Sequence, residues 1–155
     1  MDVKIRIATS GDLKSIQGLN HELCKKEYEN FDQTINPDWP LRPEGRTYFE
    51  ERINKGFAFV ATAGKEVVGY AVGGLVNPEL YRNGMMIAEL ENMIVLEKYR
   101  SAGTGTKLVD AFFDWCKRMK VNRVRVVVSA QNSRAIDFYR RNGFENYNAC
   151  LERNL

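Results

Sequence analysis

Between residues 85 and 144 the chain reads as strand, glycine-rich turn, helix, strand, helix, and then the start of another strand. Strands separated by helices cannot close as hairpins, so this half must run its strands parallel and lay the helices on a sheet face. The first half has a different grain. Val3–Ala8 alternates apolar and charged side chains and predicts a half-buried strand. Thr9-Ser10-Gly11-Asp12 offers caps for a helix to about Glu27, with Leu13, Ile16, Leu19 or Asn20, and Leu23 on one face. Residues 28–43 hold three of the four prolines and read as a loop, followed by a helix over about Pro43–Lys55. Phe57–Ala63 and Val67–Val76 read as a hairpin around Gly64-Lys65, and Asn83-Gly84 turns the chain into a strand over Met85–Leu96. A helix over about Gly103–Met119, a strand over Arg123–Ser129, a helix over about Ser133–Asn142 and a strand from Phe144 complete the order. An antiparallel half joined to a crossover half predicts an α/β (α+β) fold with one mixed sheet flanked by helices.

A chain of 155 residues without linker, repeat or low-complexity segment predicts a single domain, 1–155. The charged alternation of Met1–Arg6 lacks the apolar run of an export signal. No stretch approaches the roughly 18 apolar residues of a membrane span. A cytoplasmic protein with no membrane partner is the expectation. The three cysteines show no CxxC spacing and there is one histidine, His21, so no metal site is expected. A net charge of +3 is too small to argue for nucleic acid.

The turn Arg100-Ser101-Ala102-Gly103-Thr104-Gly105-Thr106 lies between a strand and a helix. A helix start leaves backbone N–H groups without partners and carries partial positive charge, so a glycine-rich approach to it makes a phosphate cradle. The spacing up to Lys107 is wrong for a P-loop, and Leu108 stands where a dinucleotide fingerprint needs its third glycine.

The Arg-x-x-Gly-x-Gly spacing resembles the coenzyme A pyrophosphate loop of the GNAT superfamily of N-acyltransferases. About 30 residues downstream, Asn132-Ser133-Arg134-Ala135-Ile136-Asp137-Phe138-Tyr139-Arg140-Arg141-Asn142-Gly143-Phe144 is similar to that family's Asn-x-x-Ala-x-x-Phe-Tyr-x-x-x-Gly-Phe pattern. Asn132 or Ser133 caps this helix and Gly143 suits its left-handed end. Ala135, Phe138 and Tyr139 share a face, Phe138 as core, Tyr139 with a hydroxyl that needs a partner if buried.

The resemblance implies a GNAT-like sheet of about six to seven strands with about four helices, whose parallel strands near Met93–Val95 and Arg125–Val128 splay apart. It implies an acetyl-CoA-dependent N-acetyltransferase acting on a primary amine. By the same resemblance, Arg100, Ser101, Ala102, Gly103, Thr104, Gly105 and Thr106 hold the pyrophosphate. Met93, Ile94 and Val95 line the pantetheine, with the amides of Met93 and Val95 polarising the thioester. Asn132 and Arg134 lie near the cofactor, and Tyr139 acts as general acid. Glu91-Asn92-Met93-Ile94-Val95 is similar to the family's Glu-Asp-Leu-x-Val stretch, which makes Glu91 the leading general base and Glu89 the second. Strand alternation predicts that Glu89, Glu91, Met93 and Val95 share one face. The acids and aromatics of Glu27–Trp39 suggest a wall for an amine, whether polyamine, aminoglycoside-like, or a protein lysine or N-terminus. A non-catalytic acyl-CoA sensor on the same fold is the alternative. Homodimers are common among similar proteins, and no stripe in the sequence establishes one.

Overall fold

A computed structural model describes residues 2–155. Strands β1 (Val3–Ile7), β2 (Ala58–Ala63), β3 (Glu66–Val76), β4 (Ile87–Val95) and β5 (Arg123–Val126) lie in chain order across one sheet. The first four pair antiparallel and β5 joins β4 parallel. Helices α1 (Leu13–Asn30) and α2 (Pro43–Asn54) cover one face. Ile16, Leu19, Phe49 and Ile53 pack there on Val60, Tyr70, Val72 and Ile94. Helix α3 (Thr104–Arg118) covers the other, packing Leu108, Val109 and Phe112 on Phe59, Ala71, Ala88, Leu90 and Val95. Helix α4 (Ser133–Arg141) joins α3 on that face through Phe138 and Tyr139. Both faces are therefore apolar, as strands buried on two sides require.

The sheet has five strands among the described residues, not six or seven. β5 stops at Val126 instead of Ser129, because its pairing with β4 ends at Leu90↔Val126. The strand expected from Phe144 does not form. Phe144 is held by rings instead, 5.7 Å from Phe113 and 5.5 Å from Tyr139 between centroids, and residues 145–155 are exposed. Without a buried face or a paired edge, an extended segment does not hold as a strand.

Strand β4 also breaks the expected alternation. Val72 pairs with Asn92 but Gly73 pairs with Leu90, so Glu91 is an extra residue in a β-bulge. The bulge puts Glu91 and Asn92 on the α1–α2 face, where both make hydrogen bonds, and returns Met93 and Val95 to the α3 face beside Leu90. Glu91 and Met93 thus do not share a side.

The entry to α1 is tied to β1 by charge. Arg6 donates from both terminal nitrogens to Asp12, 2.8 Å to each carboxylate oxygen, and the Thr9 N–H donates to Asp12 at 2.8 Å. Hydrogen bonding from Arg6 draws the Asp12 carboxyl from 3.8 down to about 2. A depressed carboxylate stabilises the fold fully above its unfolded pKa and stops doing so as pH falls through the folded one. The stability gap between wild type and Asp12→Asn is expected to be on the order of 2 kcal/mol at neutral pH, to shrink below pH 4, and to close near pH 2. Urea melts of both proteins across that range measure it; a gap independent of pH would remove the ion pair from the account.

Candidate active site

Past Leu90 and Val126, β4 continues without β5 beside it, leaving the stretch 91–95 with one open edge. On its other side the ladder to β3 runs on, with the Leu96 N–H donating to the Val68 carbonyl at 2.9 Å. Hydrogen-bonding direction alternates along an antiparallel strand, so the N–H groups of Met93 and Val95 point away from β3, into the gap. The Val95 carbonyl on that edge accepts a 2.7 Å hydrogen bond from Arg100 Nε, which fixes Arg100 across the mouth.

The glycine-rich turn sits at this mouth. Gly103 takes φ of 77° as the residue before α3, a left-handed conformation that favours glycine. The first helical bond runs from the Lys107 N–H to the Gly103 carbonyl, so the N–H groups of Thr104, Gly105 and Thr106 have no partner within the helix. Ser101, Ala102 and Thr106 are exposed. Thr104 is not: its side chain is buried, and only its backbone can meet a ligand. Gly105 serves a neighbour too. A Cβ there would stand 3.1 Å from the Phe138 ring, so this glycine lets α4 rest on the start of α3. The two sequence motifs meet at that contact.

Helix α4 begins at Asn132, whose side chain accepts from the Ala135 N–H at 3.1 Å and reaches Glu27 Oε1 at 3.5 Å with its Nδ2. Arg134 is exposed on its first turn. Tyr139 is packed between Phe138 and Phe144, and burial first, then the charge of Glu27, pushes its hydroxyl up to about 12. No described residue hydrogen-bonds that hydroxyl. Helix α1 covers one face of the sheet and α4 the other, yet Glu27 touches Asn132 and senses Tyr139. That meeting requires a place where no strand separates the faces, which is the gap beyond β5.

The expected bases on β4 have other commitments. Arg52 grips Glu91 with Nε at 3.1 Å and a terminal nitrogen at 2.8 Å, and the Tyr48 hydroxyl donates to the same carboxylate. Glu89 accepts from Arg125 Nε at 2.9 Å, across the strands just before they part. Both carboxylates thus have their oxygens engaged by a guanidinium rather than open to an acceptor. Asn92, the departure from the family's Asp, is a hub. The buried Tyr70 hydroxyl donates to Asn92 at 2.6 Å and accepts from Asn20 at 2.7 Å, while Asn92 donates to Tyr48 at 3.2 Å. These bonds run from α1 through β3 and β4 to α2.

The acidic and aromatic stretch is largely self-contained. Trp39 stacks into the core, 5.4 Å from Tyr48, Asp32 accepts from Thr34 at 2.9 and 2.6 Å, and Asp38 lies 3.0 Å from His21. Glu27 is the member turned toward the gap. The sequence carried its signal: Asn20, Cys24 and Glu27 make a polar stripe at i, i+4, i+7 beside the apolar face of α1. Among the described residues no group of His, Cys, Asp and Glu is arranged to hold a metal, and no helix is long and apolar enough to cross a membrane.

Residues 21–144 match the acetyltransferase (GNAT) family. An uncharacterized N-acetyltransferase of Methanocaldococcus jannaschii is 29% identical over 147 residues, which is 91% of this chain and 60% of that protein's length. This chain therefore spans less than two thirds of that relative. An N-alpha-acetyltransferase of Sulfurisphaera tokodaii is 30% identical over 142 residues, 83% of each chain. Among solved structures, a tetramutant protein of Bacillus halodurans superposes with a TM-score of 0.83 at 20% identity, covering 98% of this chain and 99% of its own. An aminoglycoside N-acetyltransferase solved in complex with CoA gives 0.77 at 18% identity, covering 99% and 95%. At these identities the structural likeness speaks to the fold alone.

Proposed function

From the premise that this chain belongs to the acetyltransferase (GNAT) family, we propose that it transfers an acetyl group from acetyl-CoA to a primary amine. The observation that carries this reading is the open edge of β4 ending at a helix start. An extended amide-bearing arm fits an edge with two inward N–H groups, and a pyrophosphate fits the free N–H groups of Thr104, Gly105 and Thr106. The residues present suit the cofactor.

In this reading Arg100, Ser101, Ala102 and Gly103 shape the cradle, and Arg134 at the start of α4 offers a cation nearby. The N–H groups of Met93 and Val95 bind and polarise the arm's carbonyl groups, with Ile94 locking β4 into the core on the opposite face. Removal of one such donor from a preorganised site typically costs about 10²–10³ in rate. Acetyl-CoA supplies an activated acyl carbon and a thiolate leaving group. Tyr139 donates its hydrogen to the departing sulfur. Glu91 positions rather than abstracts, holding Arg52 and Tyr48 where α2 borders the acceptor side. The acceptor class stays at the level of a primary amine, and the free cysteines fit a cytoplasmic location.

Calorimetric titration with acetyl-CoA, followed by thiol release across a panel of amines, tests the proposal. Saturable binding with acceptor-dependent release is expected. Binding without release on any amine would favour an acyl-CoA sensor, and no binding would overturn the reading.

A further inference from the structure

Resting on that reading, we infer that Glu27, at the end of α1, is the catalytic proton acceptor for the amine. Three observations place it there. First, Glu27 reaches across the gap to the α4 cap, 3.5 Å from Asn132, where the faces of the sheet meet next to the open edge of β4. Second, it has a free carboxylate where the β4 acids do not. Among the described residues it forms no ion pair and that one long hydrogen bond, against the Arg52 grip on Glu91 and the Arg125 contact to Glu89. Third, its surroundings favour the neutral acid. Burial raises its pKa, the Asn132 bond opposes this, and Asp32 adds a smaller rise. A base tuned upward from the ordinary carboxylate range is better matched to work near neutral pH. The charged and titratable groups facing it are Cys24 one turn back on α1, Asp32 in the following loop and Tyr139 on α4, with no cation among them.

The step balances with the groups present. The amine nitrogen bonds to the acyl carbon as the C–S bond breaks. An alkylammonium first gives one proton to the Glu27 carboxylate, which releases it to solvent. The neutral nitrogen gives its second proton to the same carboxylate as it bonds to carbon, and one proton reaches sulfur from the Tyr139 hydroxyl. The proton on Glu27 then restores Tyr139 through solvent, leaving an amide and a free thiol. Glu27 and Tyr139 interact electrostatically in the structure, so a proton gained by one makes a proton easier to lose from the other.

Glu27→Gln keeps the shape and the capacity to bond Asn132, and Glu91→Gln is the comparison. With an alkylamine acceptor near neutral pH, Glu27→Gln is expected to lower kcat/KM by about 10²-fold or more. The acid limb of the wild-type pH profile should move with it. With an acceptor already neutral at that pH, such as a hydrazide, the deficit should shrink. A purely structural role would not discriminate between acceptors in this way. Acetyl-CoA affinity and Tm should stay at wild-type values, and Glu27→Asp should recover part of the rate. Wild-type kinetics for Glu27→Gln with every acceptor would overturn the inference, and so would an equal loss on both acceptor classes. A larger acceptor-dependent loss in Glu91→Gln would return the role to β4. Failure of the wild type to bind acetyl-CoA would show separately, as a failure of the site reading itself.

Discussion

Tyr139→Phe should lower turnover by about 10²–10⁴-fold while leaving acetyl-CoA affinity little changed. The hydroxyl is the one part of the side chain that packing does not use. The ring lies 5.3 Å from Phe138 and 5.5 Å from Phe144, contacts that phenylalanine reproduces, so the fold loses nothing obvious. With its pKa pushed up to about 12, the phenol is protonated throughout any ordinary assay. The deficit should therefore be constant with pH, in contrast to the acceptor- and pH-dependent deficit expected at Glu27. The high value also defines how the group acts. A phenol this weak stands roughly three to four units above a free thiol, so outright transfer is uphill even once the thiolate has formed, and it is completed only as a proton returns to Tyr139. Hydrogen-bond donation to the thiolate as it forms is what the phenylalanine lacks. Steady-state kinetics with calorimetry on the same preparation measures both quantities. Equal turnover at every pH would remove Tyr139 from the mechanism.

The contrast between Tyr139 and Glu91 marks what a sequence can convey. The Phe-Tyr pair, the glycine-rich turn and the crossover that joins them are local patterns, and local patterns survive folding: Asn132 caps α4, Gly103 takes the left-handed turn, and Phe138 packs. The face of a strand is a running count, and one extra residue resets it. Glu91 is that residue, and no propensity in Leu90-Glu91-Asn92 announces a bulge. A second fact is likewise absent from the local pattern: Arg52, 39 positions away, closes on it. Glu27 was visible only as one acid among several in a loop-bound stretch. What singles it out is where α1 ends relative to the parting of β4 and β5, a product of packing rather than of spacing. The strand expected from Phe144 failed for a related reason, since a strand forms only where an edge and a face receive it.

Phe112→Ala should be the most destabilising single truncation near the site, costing about 3–5 kcal/mol and lowering Tm by roughly 6–20 °C. Phe112 is fully buried at the centre of the α3 face, in edge contact with Phe59 at 6.4 Å. Its ring fills the space above Gly73: a Cβ at that glycine would come within 2.7 Å of it and would also collide with the Glu89 carbonyl. The phenylalanine thus stands in for a missing side chain on β3, directly across from the stretch of β4 that bulges. Gly73→Ala in the Phe112→Ala background separates the two roles of that space. If the cavity alone mattered, the added methyl would recover stability. The collision with the Glu89 carbonyl predicts instead that the double variant is no more stable than Phe112→Ala, because backbone cannot move aside as a ring can. Thermal melts of the wild type and the two variants decide it. A double variant that regains stability would mean that β4 yields at the bulge, and then the N–H groups of Met93 and Val95 would be less firmly aimed than the structure has them.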